Sequence, residues 1–231
     1  MKNILFCFIV MLMAFGCAKK DVPKYTISRV VKSDTATLLT VNISSRLTES
    51  QLLSIAGKIK SDSSKLSNLQ LCYLLNGHKD RNTSDNNFYA IAKYPNANKV
   101  VMQDTLKDTE GNFVRLKISG ISAQVAKHLL ELNPKEITGK NIVGRFVDDN
   151  NHTLIVPFYE PNDPKKELYV MELDTAGKVV SATVPMIVTK DGMERYVVSH
   201  RGDYITIKDS VLTQYSVDDA GLPYNSIKAG L

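Results

Sequence analysis

The fold is decided first by residues 36–60, which read ATLLTVNISSRLTESQLLSIAGKIK. Apolar and polar residues alternate from Leu39 to Ser44, which is the two-residue period of a half-buried strand. The period then lengthens, because the apolar residues between Leu52 and Ile59 recur at helical spacing. Thr48 and Gln51 have the spacing of a capping box, in which both side chains satisfy free N–H groups at a helix start. The stretch therefore predicts a strand followed by a capped helix.

Strand-like segments flank this helix on both sides. Residues 25–31 precede it and form a predicted hairpin with residues 36–44, and residues 69–75 and 88–94 follow it. This order predicts one helix packed against one antiparallel sheet. A Leu-Thr-Glu-x-x-Leu helix between strands resembles small modules of bacterial envelope proteins, and that resemblance implies no particular activity.

A second helix is predicted further along the chain. Residues 113–119 alternate as a strand does, and Ser122 can cap a helix with apolar positions from Val125 to Leu132. Asn133-Pro134 ends that helix, because proline cannot continue one. Residues 25–133 are thus predicted to form an α/β module with two helices.

From residue 141 onward, short apolar runs alternate with turn signals such as Asp191-Gly192. The seven runs are Ile142–Val147, Thr153–Tyr159, Glu167–Leu173, Val179–Val188, Arg195–Ser199, Tyr204–Lys208 and Val211–Tyr215. They predict that residues 137–231 form a β-rich antiparallel meander or small barrel. The predicted fold class of the whole chain is α+β.

The first sixteen residues have the features of an export signal. Lys2 precedes an apolar stretch from Ile4 to Phe15, and its roughly a dozen residues fall short of the ~20 that span a bilayer. Ala14-Phe15-Gly16-Cys17 resembles the lipobox of bacterial prolipoproteins. That resemblance implies that residues 1–16 are removed, that the Cys17 thiol carries a diacylglycerol, and that residues 17–24 form a lipidated tether.

The same resemblance implies a place in the bacterial cell envelope. The lipid on Cys17 makes the membrane the first expected partner, on the periplasmic face of the outer membrane or at the cell surface. Lys19-Lys20-Asp21 resembles the charged stretches that send some lipoproteins of the Bacteroidetes to the surface.

The charge and the cysteine content indicate two functions that are not expected, nucleic-acid binding and chemistry at a reactive thiol. The formal net charge of the 231 residues is +5, spread along the chain without a basic stripe, so no nucleic-acid partner is expected. Cys72 stands in an apolar run with no visible cation to activate it, which indicates a structural thiol.

Residue spacing predicts no catalytic, metal or cofactor site. The four histidines, at positions 78, 128, 152 and 200, have no zinc spacing. Asp80–Asp85 begins as a calcium loop does, but the glycine and the last glutamate of that motif are missing. The chain has no Gly-x-Ser-x-Gly elbow and no Gly-rich phosphate loop.

Acids and turns in the C-terminal part have ordinary structural explanations. Asp148-Asp149 and Asp218-Asp219 are adjacent carboxylates at turns, which predicts solvated side chains. Arg201-Gly202-Asp203 predicts a tight turn in which the glycine takes a positive φ.

Binding without turnover is the function that these patterns favour. Tyr159, Tyr196 and Arg201 lie near predicted loops of the C-terminal sheet and are the predicted anchors for an envelope protein or glycan. Two alternatives stay open. One is an envelope hydrolase whose catalytic residues converge only in three dimensions, and the other is a β-barrel that carries a small ligand.

Overall fold

The structure is a computed structural model in which strands dominate the described residues, together with two α-helices. It describes residues 21–33, 36–64, 66, 68–76, 88–95, 104–219 and 223–230. The export signal, Cys17, His78 and the loop Asp80–Asp85 lie outside the described residues. Within the described ranges, no helix combines the length and the apolar character needed to cross a membrane.

The first sheet has six strands in the order β1-β2-β3-β4-β6-β5. They are β1 Tyr25–Lys32, β2 Thr37–Ile43, β3 Leu69–Leu75, β4 Ala90–Lys93, β5 Leu106–Lys107 and β6 Phe113–Ile118. The predicted hairpin of β1 and β2 is confirmed. The prediction of a wholly antiparallel sheet is wrong, because β2 and β3 pair in parallel. Helix α1, Glu49–Asp62, joins these two strands, and such a crossover returns the chain to the end of the sheet where it started.

Helix α1 begins with the predicted capping box. The Gln51 N–H donates to Thr48 Oγ1 at 3.4 Å, and the Thr48 N–H donates to Gln51 Oε1 at 2.9 Å. The helix covers one face of the first sheet, and the Tyr73 hydroxyl donates to the Leu52 carbonyl at 2.9 Å. The shared core includes Leu39, Val41, Ile43, Leu52, Ile55, Ile59, Leu69, Leu71 and Tyr73. Apolar burial therefore holds this part together.

The second sheet has the order β11-β10-β9-β7, with β8 also paired to β9. Its strands are β7 Asn141–Ile142, β8 Phe146–Asp148, β9 Thr153–Tyr159, β10 Leu168–Leu173 and β11 Val179–Thr183. Helix α2, Ala123–Glu131, starts at the predicted cap Ser122 and buries Ala126 and Leu129 against this sheet. By its packing, α2 goes with the strands that follow it. The boundary between residues 133 and 137 stays a prediction.

The third sheet is the predicted antiparallel meander, in the order β12-β13-β14-β15-β16. Its strands are β12 Met186–Lys190, β13 Met193–Val197, β14 Tyr204–Lys208, β15 Val211–Tyr215 and β16 Pro223–Lys228. Its inner face packs on the side of the second sheet that α2 does not cover. That core contains Phe146, Ile155, Leu168, Val170, Tyr196, Ile205, Leu212 and Ile227. The described strands thus form a sandwich of two open sheets, not the small barrel that was the other expectation.

Several strand predictions differ from the structure. The run Ile142–Val147 is divided into β7 and β8, and the run Val179–Val188 into β11 and β12. Val184-Pro185 separates the second pair, because proline has no N–H to continue a ladder. The predicted strand Arg195–Ser199 begins and ends two residues earlier, as β13, and strands β5 and β16 were not predicted.

A buried ion pair joins the first sheet to the sandwich. Arg46 follows β2, and its Nη2 donates to Asp149 Oδ2 at 2.9 Å, while Nη1 contacts Asp149 Oδ1. Arg46 Nη1 also donates to the Ile121 carbonyl at 2.9 Å, and the Ile121 N–H donates to Asp149 Oδ1 at 2.7 Å. The prediction that Asp148 and Asp149 are solvated is wrong, because they are 1% and 9% exposed. We call Arg46, Ile121 and Asp149 the joint.

Candidate functional site

The structure brings two of the three predicted binding residues together. Tyr196 is 8% exposed, its hydroxyl donates to Glu194 Oε2 at 2.7 Å, and Tyr159 packs against the same sandwich core. Burial, followed by the hydrogen bond to Glu194, raises the pKa of Tyr196. Arg201 is exposed and forms an ion pair with Asp218. The part that these residues play in binding stays a prediction.

A cleft of about 290 Å³ lies between the second and third sheets, and none of the three predicted binding residues is among those that line it. Ile155, Val170 and Ile205 of the sandwich core form its apolar base. The remaining lining is mainly polar or aromatic: Asn151, Glu172, Ser181, Thr183, Val198, Asp203, Tyr204, Gln214, Tyr215 and Tyr224. We call this cavity the sandwich cleft.

Glu172 is the carboxylate that β10 places in the sandwich cleft. It shares a face of the strand with Leu168 and Val170 because side chains alternate along a strand, and it is paired in register with Ile155 on β9. Burial raises its pKa above the ordinary 4.5, and the nearby Asp148 raises it further. Among the described residues, its carboxylate has no hydrogen-bond or ion-pair partner. A half-buried carboxylate without a partner is costly to the fold.

Gln214 lines the same cleft and carries a side-chain amide. The residue is 7% exposed, and its Oε1 accepts a hydrogen bond of 2.8 Å from Asn225 Nδ2. Asn225 Nδ2 also donates to Asp148 Oδ1 at 3.4 Å. Asn225 therefore links the Gln214 amide to the Asp148 carboxylate. The bond to Asn225 occupies the amide oxygen of Gln214. Its Nε2 donates no hydrogen bond to any part of the protein that the structure describes, and Gln214 lines the cleft.

Two stacked tyrosines contribute to the lining of the cleft. The rings of Tyr204 and Tyr215 lie 4.5 Å apart at an interplanar angle of 6°, because β14 and β15 place the two residues directly opposite in register. The next pair, Ile205 and Gln214, includes a residue of the sandwich core, so alternation directs the tyrosine rings to the other face of the third sheet. The Arg195 guanidinium lies 4.9 Å from the centre of the Tyr204 ring. These contacts fix the positions of both tyrosines.

Asp203 lines the cleft from a turn that matches the prediction. Gly202 has a φ of 94°, which is the positive φ expected of the Arg201-Gly202-Asp203 turn. Asp203 accepts hydrogen bonds from the Ser199 hydroxyl at 2.8 Å and the Val217 N–H at 3.1 Å. These bonds, the Ser199 bond first, lower the pKa of Asp203. Its carboxylate therefore holds the turn while adding negative charge to the cleft.

No histidine is among the described residues that line this cleft. Of the described histidines, His128 lies in α2, His200 lies in a turn, and His152 Nε2 lies 3.1 Å from the Ser119 carbonyl oxygen. Among the described residues, no group of three or more His, Cys, Asp or Glu side chains is arranged to hold a metal ion. The cleft instead offers a carboxylate, an amide, hydroxyls and aromatic rings. Such groups bind a polar ligand of modest size.

Comparison of the chain with protein-family models, with curated proteins and with solved structures gives no match.

Sequence reasoning missed Glu172 and Gln214, although a weak signal was present. In Leu168–Leu173, Glu172 stands at a position of the alternation that is otherwise apolar. Gln214 stands in the same way among the inward positions of Val211–Tyr215. A polar residue at a buried strand position needs a partner or a function.

Proposed function

We propose that this protein is a lipid-anchored binding protein of the bacterial cell envelope, and that the sandwich cleft is its ligand site. The observation that carries the proposal is the pair of Glu172 and Gln214. Both line one cleft, and each has a polar group with no partner among the described residues. The scaffold that we propose is an α+β protein, in which the helix-covered first sheet supports a β-rich sandwich.

Two features support binding in this cleft. The lining residues come from both sheets of the sandwich, so a bound molecule would contact β10, β11, β14, β15 and β16 together. The volume of about 290 Å³ is close to the lower end of ligand cavities, roughly 300 Å³. A ligand of about one ring fits that volume, whereas a long polymer does not.

Binding without turnover is the proposal because residue spacing predicts no catalytic site. Hydrolysis is the second candidate, and the two acids of the cleft lining favour it. Two-carboxylate hydrolysis needs one acid to donate a proton and another to act as base or nucleophile. Glu172 has a raised pKa, which suits the first role, and Asp203 has a lowered pKa, which suits the second.

The anchor is tested by replacing the lipidated cysteine. We expect Cys17→Ala to move the protein from the membrane fraction to the soluble fraction and to stop incorporation of labelled fatty acid. Cys72→Ala is the matched control, since Cys72 is a buried cysteine of the first sheet that forms no disulfide. Wild-type protein that takes up no lipid would refute the anchor.

The cleft is tested by filling it. We expect Thr183→Trp to remove small molecules that co-purify with the full-length protein from its native envelope, as measured by mass spectrometry. Val180→Trp adds the same bulk to the same strand at a position 59% exposed, and should retain them. Equal recovery from both variants would place the ligand site elsewhere.

The predicted binding residues Tyr196 and Arg201 are tested by substitution. Tyr196→Phe removes only the hydroxyl of a buried side chain, and Arg201→Ala removes only an exposed ion pair. If an envelope protein or glycan binds at the loops, these two changes lower its capture from envelope extract. Retained capture by both would leave the sandwich cleft as the site to pursue.

A further inference from the structure

We propose that the sandwich cleft binds a small ligand that carries a protonated amine beside a hydroxyl or carbonyl oxygen, with the amine against Glu172. This inference rests on the proposed function, because it names the class of ligand for the same cleft. Three observations carry it: the charge of the lining, the unpartnered carboxylate, and the unpartnered amide.

The lining of the cleft is negative. Of its thirteen residues, Glu172 and Asp203 are acids and none is Lys, Arg or His. Asp148 lies behind this surface and is 1% exposed. A phosphate or carboxylate ligand would meet like charge here, whereas a cation would meet opposite charge. The lining therefore selects against acidic ligands.

Glu172 supplies the position for the positive group. Its carboxylate is half-buried, lacks a partner among the described residues, and faces the added field of Asp148. An ammonium group on the ligand would form an ion pair with Glu172. That pair would offset the free-energy cost of partly burying the charged carboxylate. A neutral hydroxyl would supply a hydrogen bond without compensating the charge.

Gln214 supplies the second contact. Gln214 lines the cleft and is 7% exposed, Asn225 holds its amide oxygen, and its Nε2 donates to no described residue. An acceptor oxygen on the ligand would give that donor a partner. The amine and the oxygen must therefore occur on one small molecule, as they do in an amino sugar or an amino alcohol.

The experiment uses three sugars that share one ring. Binding of D-glucosamine, N-acetylglucosamine and glucose to the detergent-solubilised full chain is followed at about pH 7 through the tyrosine ring signals in NMR spectra. At that pH an amine of this kind is mostly protonated. We expect glucosamine to bind about tenfold more tightly than either neutral sugar, as one charged hydrogen-bonded contact provides. Salt should reduce this preference.

Two variants make the result specific. Glu172→Gln should reduce the preference for glucosamine to about onefold. Glu131→Gln makes the same chemical change on the exposed side of α2 and should leave the preference intact. Equal binding of all three sugars, or a preference that survives Glu172→Gln, would overturn the amine assignment.

Failure of the ligand class is distinguishable from failure of the site. Neutral sugars that bind to wild type as tightly as glucosamine, and lose binding in Thr183→Trp, would leave the cleft as the site and refute the amine. Glucosamine that binds equally to wild type and Thr183→Trp would refute the cleft itself, and the amine assignment with it.

Discussion

Two buried polar clusters of this protein differ in one respect, which is whether their charges have partners. In the joint, Arg46 and Asp149 contact each other through both pairs of terminal atoms, and Ile121 contributes two further hydrogen bonds. In the sandwich cleft, Glu172 and the Gln214 amide nitrogen have no such partner among the described residues. The carboxylate of the joint is engaged in holding two parts of the fold together, whereas the carboxylate of the cleft is available to a ligand.

The two clusters begin from adjacent residues of one turn. Asp149 turns toward Arg46 and the first sheet, while Asp148 lies toward Asn225 and the cleft. Asp148 also accepts hydrogen bonds from the N–H groups of Asn150 and Asn151. An aspartate thus belongs to each cluster. The hydrogen-bond donors around it decide whether its carboxylate joins two sheets, as at Asp149, or supports the cleft, as at Asp148.

The largest expected effect is at the joint. Asp149→Ala leaves the Arg46 guanidinium buried without its counter-charge, which costs about 3–5 kcal/mol of unfolding free energy. Urea unfolding followed by circular dichroism measures the change. Asp218→Ala is the control, because its ion pair with Arg201 is exposed and is worth less than about 1 kcal/mol. Similar losses in both variants would remove the distinction between the joint and an ordinary surface pair.

A smaller effect is expected behind the cleft. Asn225→Ala removes the amide that links Gln214 to Asp148, and the loss of a buried hydrogen-bond partner costs about 1–3 kcal/mol. Asn141→Ala, at an exposed position of β7, should change stability by no more than about 0.5 kcal/mol. The same unfolding measurement compares them. An unaffected Asn225→Ala protein would mean that the amide chain does not support the cleft.

The smallest effect on stability is expected at Glu172, and it is a gain where the two preceding variants lose stability. Its pKa is raised in the folded state, so the fold binds that proton more tightly than the unfolded chain and loses stability as pH rises. Glu172→Gln should therefore raise Tm by roughly 1–2 °C at neutral pH. The gain should shrink as pH falls toward and below the ordinary value of 4.5, where both states are protonated.

The matched measurement is Glu131→Gln, for which we expect no change of Tm at either pH. A lower Tm for Glu172→Gln at neutral pH would show that the carboxylate has a stabilising partner, and the contrast between the joint and the cleft would then fail.

The sequence predicts what local patterns control. Thr48 and Gln51 mark the start of α1. The runs Thr153–Tyr159 and Tyr204–Lys208, which stand between turn signals, have the observed bounds of their strands. The parallel pairing of β2 with β3 depends on where the chain returns after α1, which periodicity does not report. Strand β16, PYNSIK, has weak strand propensity, and its pairing with β15 decides its conformation.

The candidate site was less predictable than the fold. Asp149 and Arg46 are 103 positions apart, and nothing near either residue indicates the other. Turn chemistry correctly favoured polar residues at Asp148-Asp149, but the burial of that turn arises from packing between distant elements. Tyr159 and Tyr196 are aromatic residues near predicted loops. The alternation of apolar and polar residues in their strands does not tell an inward tyrosine ring from an exposed one.

The joint also makes an early part of the chain depend on a later one. Arg46 follows β2, and the acid that it contacts lies 103 residues later. The first sheet therefore reaches its final state only when the turn at Asp149 is in place, and the late sandwich completes the early sheet. We expect the two parts to refold cooperatively.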